Sequence, residues 1–244
     1  MPLAKHTGLV IESRRLGEAD QEFTLLCDTG LKKKFISKGI QKSKSRTILA
    51  TELGSKVSVD SYDHARKEIF HCKEIHLEER FENAKSDYIH IVTLNSFCEI
   101  TRELTPEGEA EPINYLFLLA AIEALNKYSF QTIILPFFKL RLLANNGYIS
   151  KKFYCNKCEE ELVEYASLEA QSLSFYCKNC KPNRENSIGI HNFFRKMFTT
   201  KYEDLIKEHW NPELIAMSDE VLNTFLKSSL NLKLKSLELL YQQA

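Results

Sequence analysis

The chain has 244 residues, room for one large domain or two to three small ones, and its 43% hydrophobic content is ordinary for a protein that buries a core. Thirty-three basic side chains cancel thirty-three acidic ones, which excludes a histone-like polycation, so any affinity for a polyanion must come from local charge. No apolar run approaches the ~18 residues of a membrane span, and the start "MPLAKHTGLV" lacks the pattern of a signal peptide, so a cytoplasmic location without membrane attachment is expected.

Residues 1–80 read as strands. "TGLVIESR" is rich in β-branched residues, and "EFTLLCD" puts Phe23, Leu25 and Cys27 on one face. "DTG" at 28–30 makes a hairpin turn into "LKKKFIS". "SKVSVDSY" alternates, with Val57 and Val59 opposite Lys56, Ser58 and Asp60, and "EIFHCKEIHL" supplies a fifth strand. Five short strands without a helical period between them predict a small antiparallel barrel.

From Asp87 the period changes. Tyr88, Ile91, Leu94, Asn95, Cys98, Thr101 and Leu104 fall on one helix face, with Asp87 as N-cap. Pro112 opens a second helix running to about Lys127. A third, "FQTIILPFFKLRLLANNG", ends at Gly147 as a left-handed cap, with Pro136 either kinking it or marking a later start. After a cysteine-bounded insert, Ser187 is the expected N-cap of a helix burying Ile190, Phe193, Phe194 and Met197. A last segment opens at Ser218 as one long helix or two short ones. The predicted fold class is α+β and multi-domain: a five-stranded barrel over 1–80, a helical domain over 81–152 and 183–244, and a four-cysteine knuckle inserted at 153–182.

The insert carries the strongest single signal. Cys155-x2-Cys158 and Cys177-x2-Cys180 are separated by eighteen residues, a spacing typical of zinc sites. Each CxxC turn aims two sulfurs into one space, and two turns complete a tetrahedron around Zn²⁺ at ~2.3 Å per sulfur. Four thiolates leave no open coordination position, so the expected ion is a single structural zinc that activates no water. The alternative is unmetallated thiol pairs or a redox site; a redox CxxC would normally sit at a helix start within a βαβ pattern, which the sequence lacks. Cys27, Cys72 and Cys98 sit at apolar positions and read as buried small hydrophobes.

"GLKKKFISKGIQKSKSR" at 30–46 is the main charge anomaly, with no acidic residue until Glu52. Such a run is commonly a solvated loop. Here it spans a strand and its exit loop. Alternation puts Lys32, Lys34 and Lys38 on one face and Lys33 on the other with Leu31 and Phe35. Those three charges would form a rail about 20 Å long, comparable to several phosphate spacings. Lys42, Lys44 and Arg46 continue it in the loop, and Arg14 and Arg15 extend it from the first strand. Lysines position a phosphate backbone and carry no base code, so the expected DNA binding is sequence-tolerant and salt-sensitive. Tyr62 and Phe35 are candidate stacking residues, with core packing the better reading for Phe35.

No GxxxxGK[ST], HExxH or GxSxG motif is present. His64, His71, His76 and His90 are scattered, and Glu99, Glu103, Glu107, Glu109 and Glu111 read as a surface rather than a two-metal nuclease. A binding protein is therefore expected and not an enzyme. The competing reading is a zinc-stapled interaction module whose basic loop docks acidic protein tails.

The stretch 8–46 resembles the N-terminus of the bacterial RecO family, through Gly17-Glu18-Ala19-Asp20, Gly30, Lys38-Gly39 and Lys44-Ser45-Arg46. "FFKLRLLANNGY" is similar to the helix before that family's cysteine module, and "LKLKSLELL", with Lys235-Ser236, to its closing helix. The chain departs from the pattern at Glu159, where the family often has Gly, at Ser150, where Pro is common, and in "LSFYCKNC", which lacks preceding glycines. The resemblance implies an N-terminal OB-fold, a helical domain and a zinc module. It also implies binding to single- and double-stranded DNA, strand annealing, and cooperation with RecR and SSB, through the acidic SSB tail, in loading RecA. Lys139 and Arg141, two apart on one helix and pointing to different faces, are weak candidates for a partner surface.

Overall fold

The computed structural model describes residues 3–43, 47–62, 68–128, 132–150, 152–182 and 184–241. Five strands, β1 (Leu3–Leu16), β2 (Asp20–Cys27), β3 (Lys32–Ser37), β4 (Lys56–Tyr62) and β5 (Ile69–Glu79), close into a barrel in the order β1-β2-β3-β5-β4. That is the OB topology. Closure is not wholly antiparallel as the strand pattern predicted, because β3 and β5 run parallel over Lys34–Ile36. A short parallel seam lets the sheet close without leaving an edge strand exposed.

The inward residues are those the alternation selects. Val10, Phe23, Leu25, Cys27, Phe35, Val57, Val59, Cys72 and Ile75 form the barrel core. Phe35 is wholly buried, its ring stacked 5.4 Å from that of Phe23, which settles it as a packing residue. The hairpin turn forms as predicted: Gly30 (φ +88°) donates to the Cys27 carbonyl, and Cys27 N–H donates to Leu31. A Cβ at Gly30 would stand 2.2 Å from the Glu111 backbone, so glycine is required both by its φ and by this approach.

Helix α1 (Tyr88–Leu104) starts where Asp87 accepts from the His90 N–H at 3.0 Å. Its buried arc is wider than predicted and shifted: Val92, Phe97 and Ile100 are buried, whereas Tyr88 and Ile91 are exposed. The reason is that α1 is covered on more than one side, by β1, by α2 (Pro112–Lys127) and by the closing helix α7 (Lys235–Tyr241). Cys98 lies in that interior, and burial pushes its thiol up to about 12, which keeps it neutral.

The chain divides into two units, 1–129 with 235–244, and 130–234. In the second, α3 (Ile134–Asn145) begins two residues before Pro136, so the proline sits in the first turn, where no intrahelical N–H is required, and marks a late start. Its end is a Schellman cap: Gly147 (φ +80°) donates to Ala144 and Tyr148 to Leu143. A hairpin, β6 (Ser167–Glu169) and β7 (Ser174–Tyr176), lies in the cysteine insert. Helix α4 (Ile188–Thr199) buries the four residues expected of it, but the Ser187 hydroxyl caps nothing; the Asn186 carboxamide accepts from Ile188 instead. The short α5 (Tyr202–Leu205) follows.

The last segment departs most from expectation. Helix α6 (Pro212–Thr224) starts six residues before Ser218, capped by Asn211, which accepts from Glu213 and Leu214. Ser218 and Asp219 are buried mid-helix. A π-helical turn, Phe225–Ser229, ends it, and α7 is separate. Among the described residues no helix is long and apolar enough to cross a membrane.

Candidate nucleic-acid interface and metal centre

The basic segment is fixed to the barrel by the motif residues that precede it. Asp20, at the start of β2, accepts from the Gly39 N–H at 2.7 Å, and the Gln41 N–H donates to the Ala19 carbonyl at 3.0 Å. Gly39 has φ +65°, a conformation glycine adopts freely. The "GEAD" turn and the "KG" dipeptide are thus two halves of one joint, which holds the exit loop after β3 in place.

The cations are not equivalent. Lys34 pairs with Thr24 in the β2–β3 register and lies on the outer face. Lys32 shares that face, but its side chain is only 7% exposed: Nζ donates to the Arg102 carbonyl at 2.9 Å and sits 2.8 Å from a Glu107 carboxylate oxygen. Its buried ammonium is thus paired with a carboxylate that itself lies in solvent. Lys33 points the other way, 3.4 Å from His6 Nε2 and over the Phe70 ring. Lys38 lies in the turn beyond β3 and is exposed. Lys42 is exposed and 3.8 Å from Glu18, which is itself in water, so that ion pair is weak. Arg14 donates to Glu22 at 2.8 Å while most of its side chain remains in solvent; that hydrogen bond raises its pKa further. Arg15 reaches Gln41 on the neighbouring face. Lys44 and Arg46 lie outside the described residues, as does His64. Of the candidate DNA-contacting cations, Arg14, Lys38 and Lys42 are exposed and Lys34 is half-buried on the outer face. Tyr62, at the end of β4, is 42% exposed and free of the core.

Three carboxylates of the acidic run, Glu99, Glu103 and Glu107, make contacts within the protein. Glu99 accepts from the backbone N–H groups of Lys235 and Ser236 and from the Ser236 hydroxyl, capping α7 with a carboxylate. Glu103 pairs with Arg102, and Glu107 with Lys32. Sequence reasoning named Lys235-Ser236 and Glu99 separately but had no signal that joined them across 136 positions.

Lys139 and Arg141 are also structural. Lys139 is fully buried and donates to Asp219 at 2.7 Å and to Asn223 at 2.6 Å. Burial lowers its pKa, partly offset by Asp219. Arg141 donates to the Thr200 carbonyl and lies over the Phe137 and Phe198 rings.

In the insert, the four sulfurs of Cys155, Cys158, Cys177 and Cys180 lie within 4.8 Å of one another, with Cys158 and Cys177 at 3.6 Å. A tetrahedron with ~2.3 Å metal–sulfur bonds has edges of about 3.8 Å, so the set fits a four-sulfur metal centre. The turns that aim them are tight: Glu159 N–H donates to the Cys155 carbonyl, and Cys180 and Lys181 to that of Cys177. Glu159 has φ +59°, so where the related family often has glycine this chain places a glutamate in the left-handed region. Burial opposes ionisation of Cys155, but N–H donors from Cys177, Cys158 and Lys157 outweigh it and bring the thiol down to about 6. Cys180, hydrogen-bonded to Cys158 and desolvated beside that charge, is pushed up to about 12. Beneath the knuckle, the Phe175 ring meets His191 edge-on, and His191 Nε2 lies 3.2 Å from the Phe153 carbonyl.

Fold and site together define an OB-barrel protein with a helical region and a tetracysteine centre. The model of the family described as "Recombination protein O C terminal" matches residues 85–238. A DNA repair protein RecO of Leptospira biflexa serovar Patoc (strain Patoc 1 / Ames) is 37% identical over 97% of this chain and 96% of its own length. RecO proteins of Dehalococcoides mccartyi (strain CBDB1; 29%, 76% of this chain and 72% of theirs) and Thermoanaerobacter sp. (strain X514; 22%, 97% and 96%) are also similar. The chain belongs to the RecO family.

Proposed function

We propose that this protein is a non-enzymatic mediator of recombinational DNA repair. It binds single- and double-stranded DNA on the barrel, promotes annealing of complementary strands, and with RecR assists loading of RecA onto SSB-coated single strands. The observation that carries this reading is family membership joined to a basic strand whose exit turn is tied to the barrel by the Asp20–Gly39 bond. Arg14, Lys34, Lys38 and Lys42 supply the phosphate contacts, with Lys44 and Arg46 continuing the loop and Lys32 contributing field rather than a contact.

The chemistry is charge neutralisation. Two strands held on one cationic surface repel each other less, so pairing is faster. We assign barrel 1–80 to DNA and the four-cysteine module 153–182 to a structural Zn²⁺ held by Cys155, Cys158, Cys177 and Cys180, the remainder, 81–152 and 183–244, being the helical domain. Zinc there would lock two turns and perform no reaction. The protein acts in the cytoplasm, at the nucleoid when bound to DNA.

The test is annealing of SSB-coated complementary strands. Wild-type protein is expected to accelerate it, and the triple variant Lys34→Glu, Lys38→Glu, Lys42→Glu to lose the acceleration with its fold intact. Unchanged annealing by that variant puts the DNA site elsewhere.

A further inference from the structure

Beside the basic strand, the first unit holds a cleft of about 630 Å³. Among the described residues β5 pairs with β3 only over Lys34–Ile36, so the strand edge at Lys32 and Lys33 borders this cleft instead of another strand. The cations on the floor are paired: Lys32 with the exposed Glu107, and Arg102 with Glu12 at 2.6 Å and with Glu103. The wall is apolar, formed by Leu31, Ile69 and Phe70. Lys33 Nζ sits 4.9 Å above the Phe70 ring, fixing one cation along that wall. The Lys34 ammonium and the Glu68 carboxylate also line the cleft, and neither has a side-chain partner among the described residues.

An open cation, an open carboxylate and an apolar wall in one cleft match the three parts of a nucleotide: phosphate, amine-bearing base edge and ring face. The volume falls in the range of about 300–1,000 Å³ typical of small-ligand sites. OB barrels commonly take oligonucleotides on the face of strands 2 and 3, and Lys34 lies on strand 3.

The geometry points to a seat for one unstacked nucleotide of a single DNA strand, its phosphate at Lys34, its base against Ile69 and Phe70, and its exocyclic amine at Glu68. This rests on the DNA-binding reading above and adds to it. A duplex cannot offer such a base without unstacking it, so the cleft favours single strands. Cytosine and adenine present an amine to Glu68. Thymine presents one N3–H flanked by two carbonyl oxygens, which the carboxylate repels.

The experiment uses the full chain and fluorescence anisotropy at neutral pH. It compares strands of about twelve nucleotides, within the reach of an OB fold: oligo-dC, oligo-dT and an abasic strand with the same number of phosphates. The abasic strand is expected to bind at least about fivefold more weakly than oligo-dC, the scale of one base stacked on an apolar side chain. Oligo-dC is expected to bind more tightly than oligo-dT, and Glu68→Gln to remove that difference while leaving the salt dependence unchanged. Failure to bind any strand at low salt contradicts the DNA-binding reading itself. Equal binding of oligo-dC and abasic strands overturns the nucleotide seat alone. A dC-over-dT preference that persists in Glu68→Gln overturns the role given to Glu68.

Discussion

The barrel and the cysteine knuckle are both built from short strands, yet they are held together by different physics. In the barrel, each strand is paired on both sides over at least part of its length, and the inward side chains form one apolar core around Phe23 and Phe35. In the knuckle, a two-stranded hairpin of three residues per strand buries Leu162, Ala166, Leu173 and Phe175 among the described residues, with Phe175 against His191 and Phe194 of α4, and four sulfurs converge beside it. A hairpin that small does not hold by itself in water. The difference teaches that the barrel carries its stability in its apolar interior, whereas the knuckle is built around a place for an ion.

Metal removal breaks this comparison most sharply. Treatment with a strong chelator, or the substitution Cys177→Ser, is expected to release the ion and make residues 153–182 protease-sensitive, while the barrel keeps its β-sheet circular dichroism. One zinc per chain should be found beforehand by elemental analysis. Normal thermal stability and protease resistance in the metal-free protein would remove the structural role.

The next effects are of similar size but arise from opposite causes. Phe35→Ala is expected to cost about 3–5 kcal/mol by opening a cavity in the barrel. Asp219→Ala should cost about 3–5 kcal/mol in the second unit, because it leaves the buried Lys139 ammonium without its carboxylate. Denaturant unfolding measures both, and metal content should change in neither. Glu99→Ala is smaller, about 1 kcal/mol, since it removes the cap of α7; hydrogen exchange of the Lys235 and Ser236 amides should rise first. Lys34→Ala is expected to leave stability within about 0.5 kcal/mol, as for most surface sites, and to act on DNA binding instead.

The elements whose signals are local were legible in the sequence. Strand alternation found the barrel core, Asp87 and Gly147 marked helix ends, and the CxxC spacing gathered the four sulfurs. What failed depended on contacts between distant segments. Tyr88 and Ile91 share a helix face with Leu94, but that face is only partly covered. Ser218 looked like a helix start, and Asn211-Pro212, a cap followed by proline at the first turn, was the signal that could have placed the true one. Lys32 and Lys34 are indistinguishable by alternation, and only Arg102 and Glu107, seventy or more residues away, separate a matched charge from an open one. Lys139 and Arg141 teach the same lesson: a cation in the chain says nothing of solvent until its neighbours are known.

The central claim is that the barrel holds nucleic acid through the outer cations Arg14, Lys34, Lys38 and Lys42. The most direct measurement is the affinity for single-stranded DNA across a range of salt concentrations, for wild type and for the variant Lys34→Ala, Lys38→Ala, Lys42→Ala. With about four cations on phosphates, log affinity should fall against log salt with a slope of roughly −3, and the variant's slope should shrink to roughly −0.7. A flat dependence in wild type, or an unchanged slope in the variant, would contradict the account.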